Sequence, residues 1–207
     1  MKHLNVLILL FLPFLLFSQE KNTNKSGDFE LGIRSTISTF SSSGNLGYGI
    51  GGQFRIRMSN RINTEWFADF ITEDIEGLAT RNDYHIGWSV MFYLGDPIEK
   101  KLSTYIIAGH CFDYTKISET KNSIDIIKPV SRLSSATQFG IGTHFNLSEK
   151  LNITLSSQYM IHLGEDIHIE NTETGFHVHD EGNNGTVSLE GHILFTLSVN
   201  YKIANLW

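Results

Sequence analysis

The stretch Tyr84 to Leu94 reads YHIGWSVMFYL. It puts Tyr84, Ile86, Trp88, Val90, Phe92 and Leu94 on one side of an extended chain and the smaller or more polar residues on the other. A period of two is the signature of a β-strand, because successive side chains point to opposite faces. The same pattern recurs along the chain. Beyond residue 27 it marks eight segments: Asp28 to Ser38, Tyr48 to Met58, Ile62 to Ile71, Tyr84 to Leu94, Leu102 to Tyr114, Leu133 to Phe145, Leu151 to Ile161 and Val187 to Ile203. Only the fifth lacks a clear parity. No segment carries the 3.6-residue period of an amphipathic helix, so the fold class is all-β. Each segment is as long as a tilted membrane-spanning strand requires, or slightly longer.

The connections alternate in length. Ser59-Asn60-Arg61, Gly95 to Lys101 (with Asp96-Pro97) and Asn146 to Lys150 are turn-sized and rich in turn residues. Thr39 to Gly47, Thr72 to Asp83, Thr115 to Arg132 and His162 to Thr186 are generally longer. Short turns at one end and long loops at the other are expected of an antiparallel up-and-down transmembrane β-barrel with periplasmic turns and extracellular loops.

The start of the chain agrees with export. Lys2 is followed by a mostly apolar run from Leu4 to Phe17, and Ser18 precedes Gln19-Glu20. This is the layout of a secretory signal peptide, too short for a good membrane-spanning helix. The reading is a leader over 1–18, a short periplasmic segment over 19–27 and a barrel domain over 28–207. With 16 Lys and Arg against 22 Asp and Glu, the chain has a formal charge of −6, which argues against a nucleic-acid partner. The single cysteine, Cys111, cannot form an intramolecular disulfide.

Gly47, Gly49 and Gly52 in GYGIGG fit the spacing of a dinucleotide-binding loop. That motif needs a helix opening behind it. Gln53 to Met58 alternates as a strand instead, so the glycines need another role. The direction of the two faces supplies one. The polar parity carries Glu30, Arg34, Gln53, Arg55, Arg57, Glu65, Asp69, His85, Gln138, His144, Gln158, Glu190 and His192. Cations and carboxylates are mixed on it, as a narrow lumen filled with paired side chains requires. Gly32, Gly49, Gly51, Gly87, Gly140 and Gly142 share that parity. Glycine weakens an exposed strand face but makes room in a crowded lumen. Gly47, Gly49 and Gly51 therefore read as space-makers beside Arg34 and Arg55, while Gly52 falls on the other face. The last segment keeps its parity through Tyr201, Ile203, Asn205 and Trp207, ending on an aromatic suited to a membrane interface.

With these features the mature chain resembles the small outer-membrane β-barrel family of Gram-negative bacteria, the group with OmpA-type transmembrane domains. The resemblance implies an eight-stranded barrel in the outer membrane, surrounded by its lipids. It also implies that Tyr201 and Trp207 belong to a C-terminal signal read by the barrel assembly machinery. Asn205 departs from that pattern and leaves open an end of the last strand at Ile203.

A non-catalytic protein is expected, structural or acting through its loops, with no cofactor. Two other readings compete: a soluble lipocalin-like ligand-binding barrel, with its faces reversed, and an outer-membrane lipid A-modifying enzyme. A deacylase of that kind needs a serine activated by a histidine that an acid orients. His162 with Glu165 and Asp166, above Ser156 and Ser157, is the nearest approach, and no His-x-Ser pair stands at the rim. The connection from His162 onward also holds His168, His177 and His179. His177, His179 and Asp180 are weak candidate ligands for a divalent metal, on a hairpin that would extend the seventh and eighth segments.

Overall fold

A computed structural model describes residues 25–39, 46–75, 77, 79–95, 101–119, 129–163, 167–172, 175–180 and 191–207, with backbone alone over 167–180. The leader and Glu190 lie outside the described residues. The described residues form ten strands: β1 Asp28–Thr39, β2 Leu46–Arg57, β3 Ile62–Ile75, β4 Ala79–Tyr93, β5 Leu102–Glu119, β6 Val130–Asn146, β7 Leu151–Leu163, β8 Ile167–Thr172, β9 Gly175–Asp180 and β10 Gly191–Asn205. Eight of them close a barrel in the order β1-β10-β7-β6-β5-β4-β3-β2, and β8 pairs with β9 alone. Every pairing is antiparallel.

The seam that closes the barrel joins the first strand to the last. Ile33 faces Val199 and Ile37 faces Phe195 across it, with one irregularity between Phe29 and Glu30. The chain ends then lock below it. Lys202 Nζ reaches Asp28 Oδ1 at 2.6 Å, Asn205 Nδ2 donates to the Ser26 carbonyl at 2.9 Å, and Trp207 Nε1 donates to Ser26 Oγ at 2.9 Å. Gly27 sits at this crossing with φ 87°, and a Cβ there would lie 2.9 Å from the Trp207 carbonyl oxygen. Only glycine takes that backbone readily. The last strand runs through Asn205, beyond Ile203.

Two turns share one chemistry. In the β2–β3 turn, Ser59 Oγ accepts from the backbone N–H of Ile62 at 3.1 Å; in the β6–β7 turn, Ser148 Oγ accepts from Leu151 N–H at 3.0 Å. Each serine caps a short turn whose flanking residues, Met58 and Ile62 or Leu147 and Leu151, also bond through their backbones. Such side-chain acceptors are why serine favours turns.

The span 72–83, expected as a loop, is mostly strand. Thr72 pairs with Asn82, Glu73 with Arg81 and Ile75 with Ala79, leaving three residues to turn the chain. Gly77 has φ 72° and its N–H donates to Asp74 Oδ1 at 2.9 Å. The run TEDIEGLATRND was too polar to read as a strand. Inside a barrel with a polar interior, however, inward Glu73 and Arg81 are compatible with continued pairing. The hairpin expected within 162–186 is present as β8–β9.

Candidate functional site: the barrel interior

The alternation turns its polar side inward. Ile33, Ile50 and Leu133 on the outer face are 72%, 72% and 74% exposed, whereas Arg55 and His85 inside are each 1% exposed. Two rows of rings cross neighbouring strands outside. Phe29, Phe54, Trp66 and Trp88 follow one another at centroid distances of 6.1, 6.0 and 6.4 Å; Phe70, Tyr84 and Tyr114 follow at 5.1 and 6.0 Å. Aromatic pairs at such distances add to strand pairing.

The half of the interior nearer the short turns is an ion-pair network. Glu65 is its centre: its carboxylate takes Arg55 at 2.7 Å and Arg34 at 3.2 Å. Arg34 Nε also meets Asp69 at 3.0 Å, and Arg55 lies 3.9 Å from Glu30. The guanidinium of Arg34 stacks on Phe67 at 4.4 Å, and that of Arg57 on Tyr93 at 4.3 Å. Gln53 donates to Asn200 Oδ1 at 2.5 Å, Asn200 in turn to Asn152 Oδ1 at 3.1 Å, and Asn152 to Glu30 at 3.2 Å. His144 stands between Tyr93 Oη at 2.9 Å and Thr154 Oγ1 at 2.7 Å. Buried charges cost several kcal/mol unless paired and hydrogen-bonded, and nearly every group here has such a partner. Below the network, outside the spanning strands, Lys25 is held below the usual lysine range by burial and by the charge of Arg57.

The glycines make this packing possible. Gly51 lies opposite Arg34 on one side and Asp69 on the other. A Cβ at Gly51 would run into the Asp69 carboxylate, and one at Gly87 would fall 2.7 Å from the Phe67 ring. Gly52 faces outward, where a Cβ meets nothing closer than 3.9 Å.

Above the network lies an apolar layer that the polar parity did not announce: Phe67, Ile71, Cys111, Ala136, Met160 and Leu194. Cys111 is buried, with its Sγ 3.8 Å from Met160 Sδ. A second inward apolar group, Met91, Tyr93, Tyr105 and Ile107, lies nearer the short turns. These residues explain the unclear fifth segment. In β5, Tyr105 and Ile107 face inward and Ile106 faces outward, so both sides are apolar there.

Beside this apolar cluster, toward the long connections, polar groups continue from Asp69 into a second cluster. Asp69, His85 and Asp113 are successive partners across β3, β4 and β5. His85 Nε2 is 3.2 Å from Asp113 Oδ1, and His162 Nδ1 is 3.3 Å from Asp113 Oδ2. His162 Nε2 meets His192 Nδ1 at 3.3 Å, and Ser134 Oγ is 3.2 Å from His162 Nδ1. Next to them Arg81 Nε pairs with Asp83 at 3.0 Å, and Thr115 donates to Asp83 at 2.6 Å. Sequence reading singled out His85 and His192 here but not Arg81, Asp83 or Asp113. Arg81, Asp83 and His85 occur at i, i+2 and i+4, so extending the polar parity upward would have found the first two. His162, read as a rim residue next to a loop, is instead buried inside β7. Its side chain faces Asp113 inside the barrel and not the outer surface. His177, His179 and Asp180 lie on β9, where the side chains fall outside the described residues. Among the described residues, no three His, Cys, Asp or Glu side chains converge as a metal site.

One polar pair does face outward. His110 Nε2 and Ser135 Oγ are 2.6 Å apart on the outer side of β5 and β6, with the His110 ring against Phe112. The two residues are distant in sequence, so no His-x-Ser motif could reveal them.

No protein-family model matches the chain, and no curated protein matches its sequence. Solved structures match its fold. Neisserial surface protein A aligns with a TM-score of 0.57 and 12% identity over 86% of this chain and 98% of the other. A major outer membrane protein from Thermus thermophilus aligns at 0.58 and 10% identity, over 84% and 99%. The outer membrane protein OprG from Pseudomonas aeruginosa aligns at 0.51 and 13% identity, over 89% and 99%. The fold is that of the small eight-stranded outer-membrane β-barrels.

Proposed function

We propose that this chain is an integral outer-membrane barrel whose interior is filled by its own side chains, and whose role is structural or exercised through its outer connections. The observation that carries the reading is the inversion of its faces. Large apolar side chains from Leu31 to Trp207 are exposed around the outside, and charged ones are buried within. A soluble monomer rarely exposes contiguous apolar surface beyond a few hundred Å². A hydrocarbon surround removes that cost, and closure into a barrel leaves no unpaired strand edge in it. The same inversion argues against a soluble lipocalin-like barrel, which needs its apolar side within.

Outer-membrane lipid would be the partner of this apolar band. Tyr201 and Trp207 would serve as the signal for the assembly machinery, in keeping with an exposed aromatic two residues past the last strand. The packed interior supports a closed barrel over a diffusion pore. Expression of the full-length chain in a Gram-negative host tests the reading. We expect recovery in the outer-membrane fraction, with a band on SDS gels that shifts on boiling. Recovery as a soluble periplasmic protein with no shift would overturn it.

The His110–Ser135 pair supports a second reading, a lipid-modifying enzyme, because it places a serine against a histidine on the lipid side. The partners of His110 among the described residues are Ser135 and Phe112, with no carboxylate to orient the imidazole. We therefore place the non-catalytic reading first. A change in lipid A acylation on expression of the chain, lost in His110→Ala, would reverse that order.

A further inference from the structure

We propose that the outer face of β5 and β6 around His110 is a self-association surface, which pairs with the same face of a second copy of this chain in the membrane. The proposal rests on the reading above, in which that face meets lipid. It is carried by polar groups that stand in the apolar belt with hydrogen bonds still to make.

His110 Nε2 and Ser135 Oγ lie 2.6 Å apart on this face, and the exposed Thr137 is the direct cross-strand neighbour of His110. The side chains around them are apolar and exposed: Ile106, Phe112, Leu133, Phe139 and Ile141. Four residues above His110 along β5 stands Tyr114, in the ring row with Phe70 and Tyr84. Tyrosines favour the membrane interface. His110 therefore lies below the outer rim of the belt, at a depth where its surroundings are hydrocarbon. Other outward hydroxyls are satisfied within their own sheet. Ser35 Oγ donates to the Gly49 carbonyl at 3.2 Å, and Thr64 Oγ1 to the Ile56 carbonyl at 3.0 Å.

What the His110–Ser135 pair leaves unmade is self-complementary. A neutral imidazole has one donor and one acceptor, and a hydroxyl has one donor and two acceptor lone pairs. If Ser135 donates to Nε2, the Nδ1–H remains as a donor and the serine oxygen as an acceptor. If Nε2–H donates to Ser135, Nδ1 remains as an acceptor and the hydroxyl as a donor. Either tautomer leaves one of each. Among the described residues the partners of His110 are Ser135 and Phe112, so Nδ1 has no polar partner there. Acyl chains supply none, and an unmet polar group in hydrocarbon is costly.

A second copy supplies what lipid does not. Copies inserted from the same side share one orientation, so a two-fold axis along the membrane normal brings equal depths of the same surface together. The donor left over on one pair then faces the acceptor left over on the other, with Thr137 beside them. Polar side chains hold transmembrane segments together in this way. Outward strips such as Ile33, Ile50 and Val199 offer apolar contact alone, which acyl chains provide equally well.

The test uses the full mature chain refolded into phosphatidylcholine vesicles. The only cysteine, Cys111, is buried inside the barrel, so an added outward cysteine reports alone. Ala108→Cys, two residues below His110 on the outer face of β5, should give a disulfide-linked dimer on mild oxidation. Ile50→Cys, on β2 at the far side of the ring, should stay monomeric. Energy transfer between dye-labelled copies should fall on dilution with lipid. His110→Leu with Ser135→Ala should raise the dissociation constant by about 3–20-fold for each hydrogen bond lost. Both side chains face outward, and the boiling-dependent gel shift reports that the variant is folded. Equal cross-linking at the two cysteine positions, or energy transfer unchanged in the double variant, would overturn the proposal. So would a monomer at every lipid ratio with the gel shift intact, an outcome that leaves the outer-membrane reading standing. Recovery as a soluble protein with no shift would sink both. A monomer whose expression alters lipid A acylation through His110 would assign the patch to a lipid substrate instead.

Discussion

At the scale of single residues, Glu65 ties two buried arginines of the interior together. It is the shared partner of Arg34 and Arg55, both almost wholly buried. Removing it leaves Arg55 without its nearest carboxylate and takes one of two from Arg34. Breaking a buried pair in this way typically costs about 3–5 kcal/mol. Glu65→Ala should lower the unfolding free energy of the refolded barrel by that much in a denaturant titration; a loss below about 1 kcal/mol would mean that Asp69 and Glu30 can take over. Gly87 is limiting for the opposite reason. Phe67 and Cys111 occupy the space a side chain would need there. Gly87→Leu should overpack the interior and cost about 1–3 kcal/mol, read by the same titration. Gly52→Leu, facing outward into open space, serves as the comparison and should cost less.

At the scale of elements, each barrel strand carries two solvents' worth of chemistry on its two sides. In β10, Leu197 is 52% exposed while Thr196 and Ser198 on either side are buried. If the outer face meets hydrocarbon, Leu197→Arg should destabilise the barrel in lipid vesicles by about 2–4 kcal/mol. A negligible effect would place that face in water. The β8–β9 hairpin behaves differently, because it pairs only with itself and adds no strand to the barrel. Deleting residues 167–180 should leave the unfolding midpoint and the boiling-dependent gel shift unchanged. A lower midpoint would show that the hairpin braces the mouth.

At the scale of the whole molecule, the interior is layered. Ion pairs fill the half near the short turns, apolar side chains cross the middle, and the histidine–aspartate cluster lies toward the long connections. An interior filled by paired charges and packed apolar side chains leaves water and ions no route along which they keep their hydrogen bonds. In planar bilayers the refolded protein should therefore show no stable single-channel conductance. Steady ohmic steps would show that the middle layer opens.

Much of this was legible in the chain itself. The period of two in segments such as Tyr84 to Leu94 follows from local backbone geometry, and the short connections follow from residues such as Ser59 and Ser148 that satisfy a turn by themselves. Mixed charges and glycines on one parity even indicate which side turns inward. Register was not legible, and register makes the sites. Glu65 meets Arg34 and Arg55, and His162 meets His192 and Asp113, only because the ladder fixes the offset of each strand against its neighbours. The same holds for His110 and Ser135 on the outside. Inward apolar residues such as Phe67, Ile107 and Met160 broke the alternation and hid the middle layer, since an apolar side chain reads alike whether it faces lipid or the barrel's interior. Sequence alone determined the strands, their number around the barrel and the chemistry of each face, because those depend on neighbours along the chain. Which charges and imidazoles stand within bonding distance was decided only by closure of the barrel, because that contact depends on strand offsets summed around the whole ring.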